Sequence, residues 1–269
     1  MRRPRPIEPA PGTARLRRRR AGERVELWTE TVGRLPPVYG ERWRTFGPAS
    51  YRAFEPGRSK LAAALTRGWS GPLPAPGERW LYLGAATGTT ASHVADLVGP
   101  AGRVYAVERS LRPFARLLRL AERWPNLLPI LGDARAPERY GDLLPIVDGI
   151  YCDVAQPEQL AIVRRHVAMF LEGRGGAVLL ALKTSSMGRD VPAPARARAA
   201  EEELDDLLRL EPPARLDPFY RSHFMIGGRR DDGEPRPTER KGARDAARPP
   251  RGRAPRNPDR ARPFSRDRP

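Results

Sequence analysis

The chain has 269 residues, 39% of them hydrophobic, and its 49 basic and 32 acidic side chains give a formal net charge of +17. A single cysteine excludes a disulfide scaffold, a multi-cysteine zinc site and an iron–sulfur cluster. We expect no metal site. The apolar runs are far shorter than the ~18 residues of a membrane span, and no early stretch resembles a signal peptide. We therefore expect a soluble, intracellular, basic protein.

The excess positive charge lies at the two ends of the chain. Residues 1–24 and residues 229–269 each carry a net charge of +7, which leaves +3 for residues 25–228. Both ends are rich in proline and nearly free of large apolar side chains, so we expect them to be disordered tails. Flexible arginines attract nucleic-acid phosphates, but arginine-rich tails that contact only solvent are equally compatible with this composition.

Two patterns divide the remainder of the chain. Short alternating stretches broken by Gly and Pro predict a small β-rich N-terminal subdomain over residues 25–56. Residues 57–228 alternate between apolar strands and helices, which predicts an α/β domain with a parallel sheet covered on both faces. The predicted strands are 79–83, 103–107, 127–131, 149–153 and 177–182, followed by a strand pair near 212–228. The predicted helices are 89–98, 111–122, 157–171 and 197–210.

Lysine is rare in this basic chain. Of the 49 basic residues 46 are arginine, and the three lysines are Lys60, Lys183 and, in the C-terminal tail, Lys241. Arginine cannot replace lysine where an ammonium group must lose its proton or act as a compact point charge. Lys60 and Lys183 are therefore candidates for chemistry, although chance alone could leave two lysines in the folded part.

The strand ends predict a ligand site, because ligands in open α/β sheets bind beyond the carboxyl ends of the strands. The first strand runs into GAATGTT (84–90), whose glycines allow a tight turn close to a ligand. Glu108 ends the second strand and can accept hydrogen bonds from both hydroxyls of a ribose. Asp133 and Asp153 follow the next two strands, and Asp133 could accept from an adenine amino group. Without a Walker-type lysine, this set indicates S-adenosylmethionine; carboxylates that only cap loop amides are the alternative.

Five segments of the chain match one known family. They are PVYGERW, YRAFEPGRSKLAAALTRG, LYLGAATGTTASHVADLVGPAGRVYAVERS, PILGDARAP and DGIYCDVAQPEQ. These segments resemble fibrillarin, the methyltransferase of box C/D ribonucleoprotein particles, over roughly residues 25–228. The resemblance implies a class I S-adenosylmethionine-dependent methyltransferase domain, with a Rossmann-like seven-stranded sheet, behind the small N-terminal subdomain.

The resemblance also implies the site residues. The family's Lys-Asp-Lys-His tetrad, which is associated with methylation of an RNA 2′-hydroxyl, falls on Lys60, Asp153, Lys183 and His223. Both lysines retained in the folded part occupy its lysine positions. Arg109 stands where the family often has an aromatic residue, which leaves stacking on adenine open at that position. The implied cofactor-binding residues are Gly84, Ala85, Thr89, Thr90, Glu108, Arg109, Asp133, Ala134, Asp153 and Gln156.

A mechanism follows as a hypothesis. Lys183 would act as the general base, with its pKa lowered by partial burial and by the charge of Lys60. Asp153 would hold both ammonium groups, and His223 would orient Lys183 or the ribose. Alternatively, Lys60 contacts only phosphate, Asp153 only the cofactor, and His223 only its local neighbours. Structural roles are expected for His93, His166 and Cys152.

By this resemblance the chain would be the catalytic subunit of a box C/D guide ribonucleoprotein that methylates pre-rRNA, with tRNA as a further substrate. A guide RNA, a Nop-domain scaffold protein and a kink-turn-binding protein would be its partners, without a membrane. Because the glycine/arginine-rich N-terminal region of eukaryotic members has no counterpart, an archaeal-type, cytoplasmic protein is favoured over a nucleolar one. A stand-alone RNA 2′-O-methyltransferase and a non-catalytic RNA-binding scaffold subunit remain as alternatives, and the intact tetrad argues against the scaffold.

Overall fold

The computed structural model describes residues 8–9, 14–21, 24–33, 36–173, 175–188 and 191–230. Most of the two segments predicted to be disordered tails, including all of residues 231–269, therefore lies outside the described residues. Within the described ranges, no helix is both long enough and apolar enough to cross a membrane.

The N-terminal part of the chain forms an antiparallel sheet in the order β1-β2-β3-β5-β4. Its strands are β1 (Glu8–Pro9), β2 (Leu16–Ala21), β3 (Arg24–Glu30), β4 (Trp43–Phe46) and β5 (Ala49–Ala53). The prediction of a disordered tail over residues 1–24 is wrong for β2, which pairs with β3 along its whole length. The β3 edge supplies backbone partners for β2, and the buried Leu16 anchors it in the core, so a low average hydrophobicity does not prevent order.

The larger domain is built on a mixed sheet in the order β11-β13-β10-β9-β6-β7-β8, and β12 also pairs with β13. Five central strands are parallel, and β13 is antiparallel to β10. The strands are β6 (Arg79–Leu83), β7 (Arg103–Glu108), β8 (Leu127–Leu131), β9 (Gly149–Cys152), β10 (Ala177–Lys183), β11 (Leu208–Leu210), β12 (Ala214–Arg215) and β13 (His223–Arg230). The helices are α1 (Lys60–Thr66), α2 (Thr89–Val98), α3 (Leu111–Ala121), α4 (Gln159–Phe170) and α5 (Ala193–Leu204).

The five predicted central strands and the first three predicted helices are present within two residues of their predicted ends. The prediction of a helix over 197–210 is wrong at both ends. The helix α5 begins at Ala193, directly after Pro192, and ends at Leu204. Residues 208–210 form the edge strand β11 instead, because the edge of β13 offers them backbone partners.

Both faces of the large sheet are buried, which explains its continuous apolar strands. Along β9, Ile150 and Tyr151 are both fully buried but belong to separate clusters. The Tyr151 side carries the core residues of α1, α2 and α3 and part of the N-terminal sheet. The Ile150 side carries those of α4 and α5.

A buried polar network joins the N-terminal sheet to α2. Its centre is Arg52, which has no exposed surface. The Arg52 guanidinium donates to Asp96 Oδ2 at 2.6 Å, to Glu41 Oε1 at 3.0 Å and to Ser92 Oγ at 2.7 Å. Asp96 also accepts from the Trp124 indole nitrogen at 2.9 Å. The orientation of α2, which begins at the glycine turn, is thereby fixed by the N-terminal sheet.

Candidate active site

The strand order places a crevice between β6 and β9. The chain passes from β6 through β7 to β8 on one side, and β9 and β10 lie on the other, so the carboxyl ends of β6 and β9 meet at a switch point. A cavity of about 240 Å³ opens there. The predicted cofactor residues that line it are Gly84, Glu108, Arg109, Asp133, Ala134, Asp153 and Gln156. The others occupy the turn after β6 and the start of α2, outside this lining: Ala85, Thr89 and Thr90.

Glycine is required at two positions of the turn after β6. Gly84 and Gly88 have φ angles of +80° and +88°. A Cβ atom on Gly84 would lie 2.6 Å from the carbonyl oxygen of Asp153, and one on Gly88 would overlap a Leu120 methyl group. The ends of β6 and β9 therefore approach each other more closely than a side chain would permit, and this approach shapes the floor of the cavity.

Glu108 holds the same turn from the end of β7. Its Oε2 accepts from the backbone N–H of Ala86 at 2.9 Å, and its Oε1 accepts from that of Ser110 at 2.7 Å. Capping of loop amides is thus observed for this carboxylate. Each oxygen retains a second lone pair, so the fixed carboxylate can also accept hydrogen bonds from a ligand in the cavity.

Asp133 lies between two arginines. Arg135 donates to it at 2.7 Å, and Arg109 lies 3.6 Å from it. The hydrogen bond from Arg135 is the main reason why the pKa of Asp133 is lowered to about 2. The carboxylate is therefore ionised and largely neutralised, and the half-exposed guanidinium of Arg109 offers a planar surface at the cavity wall.

The structure brings the predicted tetrad together at the carboxyl edge of the sheet. Lys60 begins α1, and its ammonium group lies 2.6 Å from Asp153 Oδ1, directly after β9. Lys183 ends β10 and pairs in register with His223, the first residue of β13. The ring of Tyr220 lies 5.4 Å from the Lys60 ammonium and 5.8 Å from the His223 ring.

Burial and neighbouring charges shift the pKa values of two residues of the predicted tetrad, Asp153 and His223. Burial raises the pKa of Asp153, while Lys60 and a hydrogen bond from the Tyr82 hydroxyl oppose this rise. Burial lowers the pKa of His223, and the positive charges of Lys60 and Lys183 lower it further. His223 is therefore neutral at pH 7. Its Nδ1–H donates to the Arg221 carbonyl at 2.8 Å, which leaves Nε2 as an acceptor.

The expectation that Asp153 holds both ammonium groups is corrected. Asp153 pairs with Lys60, whereas no ion pair joins Lys183 to a carboxylate within the described ranges. The register explains the difference, because Cys152 pairs with Leu180 and Lys183 lies three residues farther along β10. Among the residues that the structure describes, no three His, Cys, Asp or Glu side chains lie close enough together to hold a metal ion.

Comparisons with known proteins complete this picture. The family model described as Fibrillarin matches residues 17–232. The chain belongs to the fibrillarin family. It is 46% identical over 190 residues to the fibrillarin-like rRNA/tRNA 2′-O-methyltransferase of Aeropyrum pernix, covering 70% of this chain and 81% of that relative. It is 40% identical over 220 residues to the rRNA 2′-O-methyltransferase fibrillarin of Eremothecium gossypii, covering 77% of this chain and 67% of that relative.

Two solved structures extend the family likeness to the fold. Aeropyrum pernix fibrillarin, solved with natively bound S-adenosyl-L-methionine, superposes with a TM-score of 0.73 at 40% identity, covering 82% of this chain and 97% of that one. The fibrillarin of a fibrillarin/Nop5p complex superposes with a TM-score of 0.69 at 36% identity, covering 77% and 94%. The fold class predicted from the fibrillarin resemblance is thereby confirmed.

Three residues to which the sequence analysis gave no role, Gln159, Thr184 and Ser222, fix the backbone next to Lys183 and His223 of the predicted tetrad. Buried Gln159 accepts from the Lys183 backbone N–H at 2.8 Å and donates to its carbonyl at 3.2 Å. Thr184 donates to the Ser222 carbonyl through its backbone N–H at 3.0 Å and its hydroxyl at 2.9 Å. Ser222 has a φ of +58°, a left-handed conformation that is costly for serine. The only sequence signal for any of them is that Gln159 closes the string DVAQPEQ.

Proposed function

We propose that this chain is an S-adenosylmethionine-dependent RNA 2′-O-ribose methyltransferase that acts on ribosomal RNA. The observation that carries the proposal is the convergence of Lys60, Asp153, Lys183 and His223 beside the cavity at the switch point. Relatives at 46% and 40% identity bear the names of rRNA 2′-O-methyltransferases. A scaffold without activity would have no chemical need for this cluster of ionisable groups.

The cavity fits the adenosine part of S-adenosylmethionine. Gly84 leaves room for close approach, the fixed Glu108 carboxylate can accept from ribose hydroxyls, and Arg109 can stack on a purine. Asp133 and Gln156 supply polar edges in the same lining. When bound, the cofactor supplies a methyl group on a sulfonium centre. The Aeropyrum pernix relative was solved with this molecule natively bound.

The residues of this chain would then prepare the ribose hydroxyl. We assign Lys183 as the general base, because it ends β10 at the carboxyl edge of the sheet, pairs in register with His223 and forms no ion pair with a carboxylate of the described ranges. Its Nζ would accept the 2′-hydroxyl proton. Asp153 positions Lys60, whose ammonium can hold the ribose oxygen or an adjacent phosphate. Neutral His223 can accept a hydrogen bond through Nε2 and so orient either the ribose or Lys183.

We infer further that the chain works inside a box C/D guide ribonucleoprotein, with a Nop-domain scaffold protein, a kink-turn-binding protein and a guide RNA. A solved complex of a fibrillarin with Nop5p, 36% identical to this chain, supports the scaffold partner. Residues 25–228 carry a net charge of only +3, which fits target selection by base pairing rather than by the enzyme. Transfer RNA would be a second substrate of the same site.

A reconstituted transfer assay tests this proposal. Labelled S-adenosylmethionine is incubated with the full chain, scaffold and kink-turn proteins, guide RNA and target RNA, with a target carrying a single 2′-deoxyribose as control. Transfer that needs the guide and vanishes with the deoxy target is expected. Guide-independent transfer would favour a stand-alone methyltransferase, and cofactor binding without transfer would favour a scaffold.

Substitution of lysines by arginine tests the general base in the same assay. Lys183→Arg retains the charge but cannot give up its proton near neutral pH, so transfer should fall by on the order of 100-fold or more. Lys241→Arg, outside residues 25–228, is the matched control and should transfer at the wild-type rate. Wild-type transfer by Lys183→Arg would overturn the assignment of the base.

A further inference from the structure

The predicted tetrad consists of two pairs of residues that come from four different elements. Lys60 at the start of α1 binds Asp153 after β9, with 2.6 Å between the ammonium group and Oδ1. Lys183 and His223 pair in register at the ends of β10 and β13. Within the described ranges, no hydrogen bond or ion pair joins the first pair to the second. The relative position of the two pairs therefore depends on the backbone and on other side chains.

The aromatic ring of Tyr220 contacts both pairs. The Lys60 ammonium lies over this ring, 5.4 Å from its centre, which is within the ~6 Å range of a cation–π interaction. The ring of His223 meets the same tyrosine with 5.8 Å between the ring centres and 63° between the planes, an edge-on arrangement typical of aromatic pairs. One side chain thus touches a member of each pair.

The turn that carries Tyr220 is fixed by the backbone and by the core. The N–H of Leu216 donates to the His223 carbonyl at 3.0 Å, and the N–H of Tyr220 donates to the Leu216 carbonyl at 3.1 Å. Leu216 is fully buried, and the Tyr220 ring packs against the same core cluster. A lysine side chain has many rotamers in water, so a ring held in this way can restrict the conformations of Lys60.

The hydroxyl of Tyr220 stays protonated near neutral pH. Burial raises the pKa of Tyr220 to about 12, and the negative charge of Asp153 contributes to the rise. The side chain is therefore neutral and does not act as a base. Its attraction for an ammonium group comes from the electrons of the ring face, which phenylalanine also has.

We propose that Tyr220 is a positioning residue of the methyl-transfer site, whose ring holds the Lys60 ammonium in place relative to His223; the inference rests on the proposed function. The ion pair with Asp153 fixes the Lys60 ammonium in one direction, and the ring restricts it in a second. A ribose oxygen or phosphate bound by Lys60 would then meet Lys183 and His223 in one defined geometry, which the transfer reaction requires.

The first test compares three variants of the full chain in the reconstituted transfer assay. Tyr220→Leu removes the ring, so kcat should fall on the order of tenfold or more, while KM for the cofactor and for the RNA stays near its wild-type value. Tyr220→Phe keeps the ring and both contacts, so its kcat should stay within about twofold of the wild type. The matched control is Phe219→Leu, which removes the neighbouring, partly exposed ring and should transfer at the wild-type rate.

Three kinetic results would overturn the inference. A higher KM for the RNA with an unchanged kcat in Tyr220→Leu would mean that Tyr220 binds the substrate directly. An equal loss of kcat in Tyr220→Phe and Tyr220→Leu would assign the effect to the hydroxyl instead of the ring. An equal loss in Tyr220→Leu and Phe219→Leu would show only that this turn tolerates no smaller side chain.

The scarcity of lysine permits a second test that needs no turnover. With ¹³C at the lysine ε-carbons, the NMR spectrum of the full chain contains three ε-methylene signals, from Lys60, Lys183 and Lys241, and single Lys→Arg substitutions assign them. Protons over an aromatic ring resonate upfield. The Lys60 signal should therefore move downfield in Tyr220→Leu and keep its position in Tyr220→Phe, while the Lys241 signal stays unchanged in both.

This spectrum separates the inference from the proposed function. An unchanged Lys60 signal in Tyr220→Leu would overturn the contact, and a displaced signal with a wild-type kcat would overturn the positioning role. If the wild-type chain transfers no methyl group but Tyr220→Leu displaces the Lys60 signal, the proposed function fails and the contact between Tyr220 and Lys60 is upheld.

Discussion

Single residues that contact the predicted tetrad only through the backbone fix the positions of its side chains. Thr184 holds the left-handed Ser222 with two donors, and the next residue is His223. Thr184→Val keeps the shape and the backbone N–H but removes the hydroxyl, at a cost of about 1 kcal/mol in unfolding free energy. Because the orientation of His223 depends on this turn, we predict that kcat falls on the order of tenfold while KM for the cofactor is retained.

The measurement for Thr184 has two parts. Single-turnover methyl transfer gives the rate, and an NMR titration of His223 reports whether its surroundings have changed. Thr184→Ser keeps the hydroxyl and should restore both the rate and the His223 titration. An unchanged rate and an unchanged His223 pKa in Thr184→Val would show that Thr184 contributes only to packing.

His166 gives a prediction for pH. Its Nδ1–H donates to the Ile162 carbonyl at 2.8 Å, and its Nε2 accepts from the Tyr140 hydroxyl at 2.8 Å. Burial lowers the pKa of His166 from 6.5 to about 4. Between these values the unfolded chain binds more protons than the folded one, so stability is complete above pH 6.5 and declines toward pH 4. The loss attributable to this residue is roughly 3 kcal/mol.

Urea unfolding at pH 7.5 and pH 4.5 measures this loss. His166→Gln cannot gain the proton, so its unfolding free energy should decline by roughly 2 to 3 kcal/mol less than that of the wild type over the same interval. Both proteins retain His93, whose pKa is also lowered by burial, so its contribution cancels in the comparison. Equal pH dependence in the two proteins would contradict the prediction.

At the scale of elements, buried ion pairs join the N-terminal sheet to α2. Arg52, Glu41 and Asp96 have fully buried side chains, and removal of Arg52, the cation that pairs with both carboxylates, leaves two buried negative charges uncompensated. Arg52→Met should therefore lower the unfolding free energy by about 3 to 5 kcal/mol. The exposed Arg165–Glu138 pair is the control, and Glu138→Gln should cost less than about 1 kcal/mol.

Urea denaturation of Arg52→Met, Asp96→Asn, the double variant Arg52→Met/Asp96→Asn and the Glu138→Gln control checks the network. Because Asp96→Asn removes one of the two carboxylates that Arg52→Met leaves uncompensated, the cost of the double variant should be smaller than the sum of the two single costs. Additive costs would mean that the two residues do not stabilise each other and would contradict the network as described.

Elements with a local signal were predictable, and those that depend on distant partners were not. The strands β6 to β10 and the glycine turn follow from apolar runs and from the turn chemistry after Leu83. The strands β2 and β11 were missed because their order comes from pairing with β3 and β13. The roles of Gln159 and Arg52 were not predicted for the same reason, because their side chains form hydrogen bonds with residues at least 11 positions away along the chain. The tetrad positions came from the family resemblance, and lysine scarcity pointed to two of them.

For the whole molecule, the cofactor cavity couples ligand binding to stability. Its lining comes from the loops after four strands, β6 to β9, so a bound ligand stabilises the complete fold of the larger domain. At a free concentration 100 times its Kd, S-adenosylmethionine should add about 2.7 kcal/mol and raise the Tm by roughly 5 to 10 °C. Glu108→Gln keeps the shape of the side chain but replaces its carboxylate with a neutral amide. The carboxylate accepts hydrogen bonds from the backbone N–H groups of Ala86 and Ser110.

Thermal scans over a cofactor series measure this coupling. In Glu108→Gln the rise in Tm should shift to concentrations on the order of tenfold higher, because the amide can accept from ribose hydroxyls through only one of its two terminal atoms. Glu122→Gln, at the exposed end of α3, is the matched control and should follow the wild-type curve. A wild-type curve for Glu108→Gln would mean that this carboxylate only caps the turn, and the ribose would then have to be held by other groups of the cavity lining.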